Sequence, residues 1–377
     1  MRISILAPAL KEIVTTAAKA VNKRAALPVL RHILLRRTSG AALEAVATDL
    51  EVTLLVRSDV TYWEDWLSRD AVSASAEDLL QVCKTLEGEV VITVEGGVLT
   101  LQTATDRHVL PSLPQEEFPA ITCASNTPMP LPGGILQDIK RLLPLVDDPR
   151  TSTRHALTGI RFADGRITGT NGRIGGTILI PYTVGTPFTL PHRALSLLAA
   201  VSHRTEPLAV GTSTLETTGT VSLHTGNRTL ITRVIEERYS DIDAVTPRHF
   251  SHEIPIIDTE RLMQWLAALP TRPKGANGCR PPTVVALSRK TGMARYTGPN
   301  GNVSGVVVVP FGDYDPIQFD GVLLLTLLRA RPAPKTPCVL LCNDPLSMVC
   351  CREGDTTLLL MPIRVKAPVQ TAEEVHA

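Results

Sequence analysis

Residues 153–181 read TRHALTGIRFADGRITGTNGRIGGTILIP. An apolar run ending at Ala163 meets a turn at Asp164-Gly165, and a second run leads to a polar turn that opens on Thr170. A third run, Ile174–Ile180, follows. Short apolar runs bounded by Gly, Asn and Asp read as antiparallel strands. The same order recurs in Leu27–Arg57, LPVLRHILLRRTSGAALEAVATDLEVTLLVR, and in Cys279–Pro310, CRPPTVVALSRKTGMARYTGPNGNVSGVVVVP. Gly40, Gly165 and Gly292 mark the first turns; Thr48, Thr170 and Thr297 lead the second. The period of about 125 residues is that of a domain rather than of a solenoid repeat.

A helical pattern precedes each segment. Leu10, Ile13, Val14, Ala17 and Val21 form one apolar stripe, Ile135, Ile139, Leu142, Leu143 and Val146 a second, and Leu262, Trp265, Leu266 and Leu269 a third. A second helix follows each one: Ser75–Leu86 behind a Ser cap, Pro191–Ser202 behind Pro, and Asp320–Arg329 behind Asp. Further strands close each unit. The expected fold class is α+β, with three similar domains of antiparallel sheet and paired helices over 1–125, 126–250 and 251–367. Residues 368–377 read as a polar tail.

The 377 residues are 44% hydrophobic and 20% charged, as in a globular protein, but only 4% aromatic. Lys and Arg number 38 against 37 Asp and Glu, which excludes a uniformly basic nucleic-acid-binding surface; any polyanion contact would have to come from locally segregated charge. Seven cysteines, Cys83, Cys123, Cys279, Cys338, Cys342, Cys350 and Cys351, include no C-x-x-C pair. They read as small buried hydrophobes, with Cys338 and Cys342 on one strand face. No signal peptide or membrane span is expected, so the setting is read as cytoplasmic.

Basic residues concentrate on or beside the helices. The first unit has Lys11, Lys19, Lys23, Arg24 and Lys84. The second has Lys140, Arg141, Arg150, Arg154, Arg193 and Arg204. The third has Arg261, Arg272, Lys274, Arg329 and Arg331. Such faces suit sequence-independent phosphate contact, and no aromatic platform interleaves with them. No Walker A, H-E-x-x-H or G-x-S-x-G motif occurs. Asp147-Asp148 and Glu236-Glu237 are neighbours beside loops and are read as structural. No cofactor, metal or catalytic residue is expected.

The chain resembles the β sliding clamp of bacterial DNA polymerase III. LPVLRHILLR with ATDLEV, LPQEEFP (113–119), GIRF with GTNGR (159–173), RYSDIDAVTP (238–247) and LLMPIRV (359–365) carry the resemblance. It implies a head-to-tail homodimeric ring around double-stranded DNA that confers processivity on the replicative polymerase, with no active site. Its partners would be the polymerase and clamp loader, each docking a short peptide. By position the resemblance assigns DNA contact to Arg24, Arg150 and His155, and the basic face of the first helix adds Lys19 and Lys23. It assigns a partner-peptide pocket to Arg154, Leu157, Thr170, Gly172, Arg173, Ile174, Ser240, Val245, Leu359, Met361, Pro362, Ile363 and Arg364. It places the dimer interface at His108, Leu110 and Leu269.

Departures from the family pattern cluster at that pocket. The family usually has an acidic residue after the turn's Thr and then Gly-His-Arg-Leu, where this chain has Asn171-Gly172-Arg173-Ile174. Ser240 stands where Pro is usual, Ala244 where Arg is usual, and His155-Ala156 where aromatics are usual. Altered peptide preference is therefore expected. The alternative reading is a divergent paralogue acting as a binding or drug-resistance protein.

Overall fold

The computed structural model describes residues 2–38, 42–63, 71–121, 127–182, 186–203, 205–212, 219–270, 281–298, 301–312 and 315–363. Gly40, Cys123, Arg204, Arg272, Lys274, Cys279, Arg364 and the tail at 368–377 lie outside the described residues.

The element order repeats as the sequence pattern implies. The first run is β1 (Arg2–Leu6), α1 (Ala7–Ala17), β2 (His32–Arg37), β3 (Ala42–Thr48), β4 (Val52–Asp59), β5 (Tyr62–Trp63), β6 (Val72–Ser75), α2 (Ala76–Thr85), β7 (Glu89–Glu95), β8 (Val98–Gln102) and β9 (Arg107–Pro114). The second is β10 (Met129–Pro130), α3 (Ile135–Leu142), β11 (Gly159–Ala163), β12 (Arg166–Thr170), β13 (Ile174–Leu179), β14 (Phe188–Pro191), α4 (His192–Val201), β15 (Ala209–Thr212), β16 (Thr220–Thr225), β17 (Arg228–Arg233) and the single turn α5 (Ile242–Val245). The third is β18 (His252–Ile256), α6 (Thr259–Ala268), β19 (Val284–Ser288), β20 (Met293–Thr297), β21 (Val303–Val307), β22 (Ile317–Asp320), α7 (Gly321–Ala330), β23 (Cys338–Cys342), β24 (Val349–Glu353) and β25 (Thr356–Leu360).

Local chemistry sets the helix ends. Ser75 Oγ accepts from the Asp78 N–H, Asp258 Oδ1 from Arg261, and Asp320 Oδ1 from Val322. Each satisfies one orphan donor of the first turn. α1 ends before its expected stripe does. A 3₁₀ turn takes over at Ala18–Ala20, and Val21 is already extended. Lys23 and Arg24 therefore sit in the loop beyond the helix. α3 stops at Leu142 because Pro144 cannot continue it.

Two compact units result, one from 1–139 with 184–236 and the other from 140–183 with 237–377. In the first, an antiparallel sheet runs β10-β15-β16-β17-β4-β3-β2-β6-β9-β8-β7-β1-β5. α1 packs on its β3 and β4 strands and against α2. Leu10, Ile13, Val14 and Ala17 are fully buried there. In the second, one sheet contains the order β11-β12-β13-β25-β24-β23-β18, and another runs β21-β20-β19-β22. Among the described residues no helix is long and apolar enough to cross a membrane.

Several basic residues of the expected outward faces are claimed inside their own unit. The Arg141 guanidinium donates to the Ala330 carbonyl and to Thr356 Oγ1, both at 2.8 Å. Arg193 pairs with Asp49 at 2.9 Å. Arg331 is only 1% exposed and pairs with Glu353. A buried guanidinium is stable only with such partners. All three are already held by partners, and Arg331 is withdrawn from solvent altogether.

Candidate partner pocket and basic surfaces

The β12–β13 turn is built by side chains that imitate backbone. Thr170 Oγ1 donates to the Ile174 carbonyl at 2.7 Å and accepts the Gly172 N–H at 3.0 Å. Asn171 Oδ1 accepts the Arg173 and Ile174 N–H groups at 2.9 and 3.0 Å. Gly172 has φ +83°, which a side chain disfavours. Asparagine thus does the capping work of an acidic residue at that position. The first unit shows the acidic version: Asp49 Oδ1 accepts from Glu51 and Val52, and Thr48 binds the Val52 carbonyl.

Beside this turn lies an apolar cavity of about 160 Å³, wholly within the second unit. Its floor is a cross-strand row. Thr170 faces Gly175 across β12–β13, Gly175 faces Leu359 across β13–β25, and Leu359 faces Cys350 across β25–β24. Paired residues in antiparallel strands share a face. Ile242 packs on Leu359 and Cys350, with Met348, Leu341 and Phe250 around them. Burial pushes the Cys350 thiol pKa up, so it serves as a neutral apolar residue in the cluster with Leu359 and Ile242. On the opposite face, a Cβ at Gly176 would meet Leu142 and Leu358 at 2.8 Å and Leu145 at 2.9 Å. The Gly175-Gly176 pair therefore serves two surfaces: one glycine leaves the cavity open, the other lets the helical layer approach the sheet.

Arg154 lies across the rim. Its Nη2 donates to the Asn171 carbonyl at 2.7 Å and sits 3.5 Å from the Asp147 carboxylate. A Cβ on Gly172 would come within 2.8 Å of Arg154 Nη1. Asp147 also takes the Ser152 hydroxyl at 2.6 Å, and Glu237 takes the Ala156 N–H at 2.9 Å. These carboxylates brace the loop that carries Arg154. Among the described residues no group of three His, Cys, Asp or Glu is placed to hold a metal ion.

The cavity gathers Arg154, Leu157, Thr170, Gly172, Arg173, Ile174, Ser240, Val245, Leu359 and Met361 from the sequence-assigned set. Pro362 and Ile363 do not line it, and the Ile363 N–H is tied to the Gln318 carbonyl at 2.7 Å. Gly175, Asp241, Ile242, Met348 and Leu360 line it as well, and sequence reasoning did not place them there. Asp241 was findable, since it caps α5 through the Ala244 and Asp243 N–H groups. Met348 was not, because it arrives only through the β23–β24 pairing.

The residues assigned to DNA contact fall in both units. In the first, Lys19 is exposed but its Nζ donates to the Ala200 carbonyl at 2.9 Å, while Lys23 and Arg24 are exposed in the loop after α1. In the second, Arg150 is exposed and paired with Asp148 at 2.9 Å, a pairing that raises its pKa, and His155 is exposed at the start of a 3₁₀ turn. His108 and Leu110 lie in β9, whereas Leu269 is buried at the end of α6.

Comparison with known proteins shows what the chain is similar to. Residues 1–122 match the model of the DNA polymerase III beta subunit, N-terminal domain. A beta sliding clamp of Pseudomonas aeruginosa is 32% identical over 123 residues, 32% of each chain. One of Haemophilus influenzae is 25% identical over 245 residues, 61% of this chain and 63% of that protein. These matches thus span from about a third to under two thirds of the curated relatives. The fold extends further. The P. aeruginosa sliding clamp bound to griselimycin superposes with TM-score 0.81 at 21% identity, covering 97% of this chain and all of that one. The Helicobacter pylori beta clamp bound to a DNA ligase peptide gives 0.78 at 17% identity with the same coverage. Residues 1–122 are thus similar to the N-terminal domain of the DNA polymerase III beta subunit, and the fold of the solved sliding clamps extends over 97% of this chain.

Proposed function

We propose that this chain is a DNA sliding clamp. It encircles duplex DNA as a homodimeric ring of three-domain chains, docks partner peptides and so confers processivity on the replicative polymerase. It acts in the cytoplasm as a non-catalytic subunit of DNA polymerase III. The observation that carries this reading is the cavity beside the Thr170 turn. Residues distant in sequence converge on it to make an apolar slot with a few orienting polar groups, the form of a peptide-anchoring pocket. The three-fold element order over 1–125, 126–250 and 251–367 supports a three-domain chain.

Two strand edges support ring closure. β9 pairs with β8 over Arg107–Pro111, but its other side meets β6 only from Ser112 onward. β21 ends its four-stranded sheet, with Val303 66% and Val307 50% exposed. Unpaired apolar edges invite strand addition, and the β9 edge of one copy against the β21 edge of another would remove both. His108 and Leu110 belong to the first edge. Leu269 supports the second unit from within rather than presenting a contact surface.

The paralogue alternative is not favoured, since the curated relatives are described as beta sliding clamps. The deciding experiment is primer extension on circular DNA with polymerase III and its loader. The chain should lengthen products in a single binding event and stay on the circle until it is cut. A monomer that never lengthens products would sink the reading. The departures at Asn171, Arg173, Ser240 and Ala244 bear on peptide preference. A clamp-binding peptide of the DNA ligase type should bind this chain at least about tenfold more weakly than it binds a typical relative, about 1.4 kcal/mol.

A further inference from the structure

One wall of the cavity beside the Thr170 turn is not part of a sheet. Ser240, Asp241, Ile242 and Val245 line it, and they belong to α5 and the residues just before it. A single helical turn is far too short to be stable alone in water, so this wall stands only where the sheet fastens it. Residues 239–251 are tied to the sheet at both ends. At the near end the Tyr239 hydroxyl donates to the Thr168 carbonyl at 3.1 Å. At the far end the Arg352 guanidinium lies 5.2 Å from the centre of the Phe250 ring and donates to the Pro247 carbonyl at 3.4 Å. Between them Ile242 packs on Leu359 and Cys350, and the Asp243 carboxylate pairs with Arg166 Nη1. Arg166 opens β12, and strand alternation puts it on the face of Thr168 and Thr170. Neither Arg166 nor Asp243 lines the cavity. Among the described residues Arg166 Nε is buried without a hydrogen-bond partner, so the bond to Asp243 is the polar anchor of that guanidinium.

We propose that Arg166 and Asp243 are positioning residues for partner peptides: their ion pair fixes the α5 wall against the strand that carries the Thr170 turn, and so keeps the pocket formed before a peptide arrives. The inference rests on the peptide-docking reading and adds to it two residues that touch no peptide. The side chains are 33% and 58% exposed, so solvent screening limits what the pair is worth. Its leverage comes from its place. The flanking polar ties, at Tyr239 and Pro247, hold the segment on either side of the turn, whereas Arg166 holds the turn itself. The Asp241 carboxylate caps α5 from within, through the Asp243 and Ala244 N–H groups, and does not fasten it to the sheet.

The test uses the full chain and a clamp-binding peptide of the DNA ligase type, with association and dissociation rates measured separately. Asp243→Ala removes the carboxylate while raising the helix propensity of α5, so a loss cannot come from a weaker helix. Affinity should fall about fivefold, the upper range for a partly exposed ion pair. The loss should lie in the association rate, because only chains with the wall in place are competent to bind. The dissociation rate should hold, since the bound peptide itself keeps the wall seated. Arg166→Met, which keeps the buried stem, should behave alike. The double variant should be no weaker than either single one, as expected of two groups that act as a unit. Asp243→Glu, which keeps the charge, should recover most of the association rate. Losses that add in the double variant, or that fall in the dissociation rate, would mean that the side chains act separately or touch the peptide, and would overturn the proposal. Parent-like kinetics in both single variants would overturn it too, whatever happens to the melting temperature, and would leave the docking reading intact. If the parent chain itself captures no peptide, the docking reading fails and this inference falls with it.

Discussion

The Thr48 and Thr170 turns are chemically the same device, yet one stands over a filled face and the other beside a cavity. In the first unit, Thr48 faces Thr53, whose hydroxyl donates to Thr48 Oγ1 at 2.9 Å. The row behind it, Leu34, Val46 and Leu55, and Ile231, which faces Thr53, are covered by Phe118 with Val29, Ala71 and Ile121. In the second unit, Thr170 faces Gly175, and Ile242 covers only part of the row. The position of Thr53 has become a glycine, and that of fully buried Leu54 has become Gly176. Two side-chain deletions on successive residues separate a closed structural face from a receptive one.

The comparison can be broken by exchanging those residues. The largest effect is expected for Gly176→Leu, the first unit's residue at the second unit's position. Its Cβ alone would meet three leucines at 2.8–2.9 Å. Overpacking of this kind should cost about 3 kcal/mol, read as a fall in the denaturant midpoint of the second unit. A variant as stable as the parent would show that the helical layer is not held close by glycine. Next is Gly175→Thr, which fills the cavity from its floor. A Cβ there lies 3.0 Å from Thr170 Oγ1 and 3.2 Å from Ile242 Cδ1. Affinity for a clamp-binding peptide should fall at least about tenfold, roughly 1.4 kcal/mol, with the fold kept. Unchanged affinity measured by calorimetry would place peptide docking elsewhere. The smallest effect is at Leu50, which holds φ +77° while 56% exposed. Its counterpart is Gly172. A non-glycine residue pays about 1–2 kcal/mol in this region, and glycine gives back roughly 0.5–1 in chain entropy. Leu50→Gly should therefore stabilise the first unit by up to about 1 kcal/mol, seen in the melting temperature. A loss of stability would mean that the leucine makes a contact worth more than its strain.

The turns were legible in the sequence because Thr, Asn, Asp and Gly write their hydrogen bonds into local order. The repeated order of strands and helices was legible for the same reason. The end of α1 was not. Val21 continues the helical spacing from Ala17, yet the chain leaves the helix at Ala18. Which cations face outward was also hidden. Arg141 is consumed by a carbonyl at Ala330 and Arg331 by Glu353, partners that only the folded chain supplies. The pocket divides in the same way. Thr170–Ile174 could be read from its own segment, whereas Gly175, Ile242 and Met348 meet only once β13 has paired with β25 and β24 with β25.

The glycine at position 175 has a consequence in time as well as in shape. A floor opened by a missing side chain has no rotamer of its own that must swing aside. Thr170, Ile174, Gly175, Leu359 and Leu360 belong to hydrogen-bonded strands, so the floor is receptive in its resting form. An incoming segment would pay for its own ordering but not for rearranging the host. Exchange between successive occupants would then be governed by how fast each one leaves.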